Sequence, residues 1–118
     1  MKKFNNLTDT QVAEMIAEEM GWKIQFAVGA YPAQIYLNAE GYPNYYSRLE
    51  SGHIAFKKWN PIRSLDQCAV FEEWLRSQED QGGYFKETIF KEYCEELEVC
   101  ATPRQRCEAF LKTMGRVE

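Results

Sequence analysis

The chain has no long apolar run, no paired-cysteine motif, a single histidine and no excess of basic residues. Each absence removes a class of function. A membrane-spanning helix needs roughly 20 consecutive apolar residues, and no segment approaches that. Met1-Lys2-Lys3 is followed by Phe4-Asn5-Asn6-Leu7-Thr8-Asp9 where a secretory leader would place its apolar core, so a cytoplasmic protein is expected. A net charge of −4 argues against broad nucleic-acid binding, which needs Lys and Arg in excess to displace counterions. Cys68, Cys94, Cys100 and Cys107 contain no CxxC pair, and without a secretory context their even number does not imply disulfides. Their spacing also lacks the close pairs that wrap a tetrahedral zinc. Cys68, Cys94 and Cys107 fall on apolar helix faces and are read as small hydrophobes. No metal or cofactor is expected.

The 118 residues are 45% hydrophobic and 14% aromatic, enough for one core and one domain over residues 1–118. Thr8-Asp9-Thr10-Gln11 is a capping box. Val12, Met15, Ile16 and Met20 follow at helical spacing, and Gly21 supplies a left-handed stop. Trp22, Ile24, Phe26 and Val28 then alternate as in a half-buried strand, and residues 33–37 return antiparallel after Gly29-Ala30-Tyr31-Pro32. Residues 38–46 hold Gly41 and Pro43 and read as loop, and residues 53–58 as a further strand.

Ser64-Leu65-Asp66-Gln67 is a second capping box. The helix after it carries Leu65, Cys68, Ala69, Phe71, Trp74 and Leu75 over a wide arc, which requires burial on several sides or a partner. Gly82-Gly83 ends that segment. In residues 84–97, Phe85, Ile89, Phe90, Tyr93, Cys94 and Leu97 form one helical stripe, and residues 98–101 read as a short strand. Thr102-Pro103-Arg104-Gln105 opens the last helix with a third box and Pro in the first turn. Cys107, Phe110, Leu111 and Met114 are its apolar face, and Gly115 its end. The fold class expected is α+β: a small antiparallel sheet of three to four strands packed between or against three to four helices.

Three stretches together carry a resemblance: Glu18-Glu19-Met20-Gly21-Trp22, Trp59-Asn60-Pro61 with Asp66, and the run from Ala101 to Ala109. In this order they resemble small phage and prophage proteins of the phage ABA-sandwich domain type, in which a sheet lies between helical layers. The resemblance implies no enzymatic activity and supplies no catalytic residues. The family tends to place strands between the second and last helices, and residues 85–97 depart from that by their helical period.

Candidate chemistry is confined to a few places. Glu72 lies inside the apolar arc of its helix, where a carboxylate can serve as acid or base, or can sit at the buried margin and pair with Arg76 one turn on. Arg104 and Arg106 occupy the first turn of a helix, where the macrodipole favours acids. With free backbone N–H groups they can hold a phosphate or carboxylate; the alternatives are a solvated helix start that tolerates a small penalty, or local pairing with Glu108. Tyr42, Tyr45 and Tyr46 sit in the presumed loop beside Arg48, with Arg63 and Trp59 near in sequence. Tyr and Arg dominate interfaces and also stack on bases while pairing phosphates; tyrosines covering one edge of a thin sheet are the alternative.

The reading is a non-enzymatic phage accessory protein, cytoplasmic in an infected bacterial host. It would work by binding a host defence protein or by sequestering a nucleotide signal, and a homo-oligomer is expected. Its ligand-binding candidates are Arg104, Arg106, Arg48, Tyr45, Tyr46, Arg63 and Trp59. A structural component of the virion, or a small hydrolase using Glu72 or His53, are the alternatives.

Overall fold

Helix α1 starts where the first capping box places it. Thr8 Oγ1 accepts the Gln11 N–H at 3.1 Å and Gln11 Oε1 accepts the Thr8 N–H at 2.9 Å, which satisfies two donors that helix geometry orphans. α1 runs Asp9–Glu19 and buries Val12, Ala13, Ile16 and Ala17. It stops at Gly21, whose φ of 78° only glycine adopts without strain. The Trp22 N–H reaches back to Ala17 O and the Gly21 N–H to Glu18 O, both at 3.0 Å, closing a Schellman motif.

The computed structural model describes residues 2–27, 33–38, 40, 43–48, 58–78, 83–94 and 101–118, with backbone alone for 26–27, 33–35, 43–48 and 83–86. It is a mixed helix-and-sheet protein. Its contacts divide into two units, residues 1–16 with 60–118 and residues 17–59. Among the described residues no helix is long and apolar enough to cross a membrane.

The second unit holds the sheet. β1 (Lys23–Ala27), β2 (Ala33–Leu37) and β3 (Pro43–Arg48) pair antiparallel in the order β1-β2-β3. Ile24 lies opposite Tyr36, and Tyr36 opposite Tyr45, with an irregularity between Tyr36 and Leu37. Tyr36 is fully buried, and the rings of Trp22 and Trp59 meet at 4.8 Å. The reading of residues 38–46 as loop is corrected here. Pro43 lacks only a donor, which the first residue of a strand can do without, and Tyr45 and Tyr46 have the β preference that pairing with β2 rewards. The expected strand over 53–58 lies outside the described residues except for Lys58.

The helical unit carries α2 (Leu65–Ser77), α3 (Gly83–Tyr93) and α4 (Pro103–Thr113), with short 3-10 turns at Phe4–Asn6 and Pro61–Arg63. α2 ends at Ser77, short of the glycines, and Gly83 opens α3 instead. The helical period of residues 84–97 is realised in α3 as far as Tyr93; residues 95–100 lie outside the described residues, and Ala101 is not in a strand.

Only half of the second capping box forms. Ser64 Oγ accepts the Gln67 N–H at 3.3 Å, but Gln67 Oε1 accepts the Asn60 N–H at 2.6 Å and so ties the helix to the turn before it. The third box is complete, with both bonds between Thr102 and Gln105. The part of the wide apolar arc of α2 formed by Cys68, Phe71, Trp74 and Leu75 is covered within the unit. Phe71 meets Phe110 at 4.7 Å and Phe90 edge-on at 6.2 Å, and Trp74 meets Phe110 at 6.1 Å. Leu65 and Ala69 remain exposed. Gly115 (φ 72°) ends α4 with a second Schellman motif, Arg116 N–H to Leu111 O at 2.9 Å. The Glu118 N–H then bonds Lys2 O at 3.1 Å.

Candidate functional site

Arg104 and Arg106, adjacent candidates on one helix start, point to different neighbours. The Arg104 guanidinium lies 5.0 Å over the Phe4 ring and donates to Asn5 Oδ1 at 3.3 Å. Arg106 turns toward α2. Its Nη1 donates to Glu72 Oε1 at 2.6 Å and its Nε to the Ala101 carbonyl at 3.1 Å. Both side chains of the ion pair are largely buried, at 18% and 17% exposure. Burial alone would lower the Arg106 pKa, but the hydrogen bond and charge of Glu72 reverse the effect and leave it raised.

Both local pairings expected from the sequence are therefore replaced. Glu72 sits at a half-buried margin, but its partner is Arg106 of α4 and not Arg76. Glu108 pairs with Lys112 at 3.8 Å and not with the arginines. For Glu72 and Arg106 the physical reason is that α2–α4 packing offers a short, partly desolvated contact, whereas an i,i+4 pair contributes a few tenths of a kcal/mol; Glu108 is left with a local i,i+4 partner of its own.

The remaining candidates disperse. Trp59 is 1% exposed and belongs to the core around Trp22. Tyr45, Tyr46 and Arg48 lie in β3, opposite Tyr36, Ile35 and Ala33, and not in a loop. Tyr42 and His53 fall outside the described residues. Arg63 pairs with Asp9 at 2.9 Å. Arg63 and Arg104 do share a shallow cleft with Ile62 and Asp9, but Asp9 already occupies one of the two cations.

The better-formed cleft lies where α2, α3 and α4 meet, about 210 Å³ in volume. Arg106 and Glu72 form one wall and Arg76 stands one turn along α2 from Glu72. From α3 come Glu87, Phe90, Lys91 and Cys94. Lys91 Nζ lies 3.4 Å from Glu87 Oε1, while Phe90 and Cys94 are almost wholly buried beneath. Of these residues sequence reasoning singled out Arg106 and Glu72 as site candidates and missed the rest. A signal was present: Glu87, Phe90, Lys91 and Cys94 stand at i, i+3, i+4 and i+7, which is one helix face.

Cys68, Cys94 and Cys107 are buried and form no disulfide among the described residues. Cys68 Sγ donates to the Pro61 carbonyl at 3.2 Å. Burial, then contact with Cys68, pushes the Cys107 thiol far up. Among the described residues no three His, Cys, Asp or Glu side chains are grouped to hold a metal ion. No protein-family model, no curated protein and no solved structure matches this chain.

Proposed function

We propose that this is an accessory protein of the phage type that acts by binding a small ligand, and that the cleft between α2, α3 and α4 is where it binds. The observation that carries the reading is the convergence of Arg76, Lys91 and Arg106 with Glu72 and Glu87 around the buried Phe90. Small-molecule sites are concave, with an apolar floor and a few converging polar groups. A binding role is favoured over catalysis because Glu72, the acid–base candidate of the sequence, has Oε1 engaged by a guanidinium at 2.6 Å. The finer architecture, a sheet of three to four strands packed between or against the helices as in ABA-sandwich proteins, belongs to the same proposal. So does a counter-defence role in which a small signal molecule is sequestered.

The test is a thermal-shift screen of the full chain against AMP, cyclic AMP, inorganic phosphate and benzoate, with sedimentation analysis in parallel. A ligand at one hundred times its Kd adds about 2.7 kcal/mol of stability, and the shift should shrink when Arg76 is replaced by Met. If no probe raises the melting temperature and the chain sediments as one stable large oligomer, the protein is an assembly component and the reading fails.

A further inference from the structure

The chemistry of the cleft narrows its ligand, and this step rests on the binding reading above. Arg106 is held by Glu72 at 2.6 Å and Lys91 by Glu87 at 3.4 Å. Arg76 makes no ion pair among the described residues, so the lining carries one net positive charge, at the last turn of α2. A single negative charge on the ligand neutralises it. A phosphate dianion would bring a second negative charge close to Glu72 and Glu87, where nothing among the described residues is left to pair with it.

Guanidinium and carboxylate are both planar and match in a two-bond fork, which favours carboxylate over other monoanions at Arg76. Phe90, which is buried, also lines the cleft and supplies an apolar surface against which an apolar body can pack. Size sets the remaining limit. At about 210 Å³ the cleft is smaller than the roughly 300–1,000 Å³ sites that enclose drug-sized ligands. A nucleotide would leave much of its surface outside. From charge, shape and volume we infer that the cleft between α2, α3 and α4 binds a small monocarboxylate carrying one compact apolar group, such as an aromatic or branched-chain acid.

Calorimetric titration of the full chain with benzoate, benzylamine, phenyl phosphate and AMP separates the possibilities. Benzoate should give a saturable isotherm, weakened by about tenfold or more in Arg76→Met, as expected for loss of one charge-assisted pair. Arg76 is exposed and makes no described contact that the fold needs, so this variant keeps its fold, checked by its unchanged melting temperature. Benzylamine should not compete. Binding of phenyl phosphate or AMP without benzoate would overturn the ligand class while leaving the site intact. Benzoate binding that Arg76→Met does not change would overturn the placement of the carboxylate. The absence of binding by all four probes would overturn the inference together with the site.

Discussion

Glu72→Met and Arg106→Met, made singly and together, isolate the ion pair between α4 and α2. The Nη1–Oε1 separation is 2.6 Å and both side chains are less than one-fifth exposed. A hydrogen bond between charged groups contributes about 1.5–3 kcal/mol net, against about 0–1 kcal/mol for a solvated surface pair. The partial exposure places the expected coupling near 2 kcal/mol. Each single variant loses more than the coupling, because the group left behind is partly desolvated: Arg106 loses the carboxylate that its Nη1 donates to, and Glu72 loses the donor to Oε1. The double variant should therefore be more stable than the sum of the two losses predicts. Urea unfolding, followed by circular dichroism and tryptophan fluorescence to check two-state behaviour, gives the four free energies. Repeating the cycle at about 0.1 M and about 1 M salt tests burial, because screening acts much less on partly buried pairs. A coupling below about 0.5 kcal/mol, or one that disappears at high salt, means that the pair behaves as a surface contact. Either result would remove the wall on which the candidate cleft depends.

Other perturbations test the local readings. Thr102→Ala removes the hydroxyl that accepts the Gln105 N–H at 3.1 Å and should lower unfolding free energy by about 1 kcal/mol in urea titration. Gly115→Ala should cost about 1–2 kcal/mol from left-handed backbone strain alone, since nothing lies within 4 Å of an added Cβ; a loss above that range would show an unrecognised close packing. The Cys107 thiol is raised from its ordinary 9.0, so its contribution is fully present below that pH and is lost as the unfolded thiol ionises above it. Stability should fall by about 1.4 kcal/mol per pH unit from this group, and Cys107→Ala should flatten the slope of urea-derived free energy against pH. Arg63→Ala, at the exposed pair with Asp9, should change stability by less than about 0.5 kcal/mol.

Features decided within a few residues were legible before the fold was known. Thr8 with Gln11 and Thr102 with Gln105 cap their helices as read, because a capping box is complete within four residues. Gly21 and Gly115 end α1 and α4 with positive φ for the same local reason. The helical period through Ile89, Phe90, Tyr93 and Cys94 was enough to identify α3, although only Phe90 and Cys94 of that stripe are buried and Tyr93 is exposed. Ser64 shows the limit: Gln67 was expected to return to its own cap, but the N–H of Asn60 lay closer once the Pro61 turn had formed.

What the sequence by itself determined is where α1 and α4 begin and end, together with the antiparallel pairing of β1 with β2. What only tertiary structure decided is which surfaces meet. Tyr45 and Tyr46 became strand because β2 offered a pairing edge, which Gly41 and Pro43 could not foretell. Arg104 and Arg106, two residues apart, were sent to Asn5 and to Glu72 by the packing of elements far away in the chain. Capping and helical period act over single turns and are written in consecutive residues. Partner choice for a charge depends on which group arrives with the least solvent around it, and that is set only when α2, α3 and α4 close on Phe71 and Phe90.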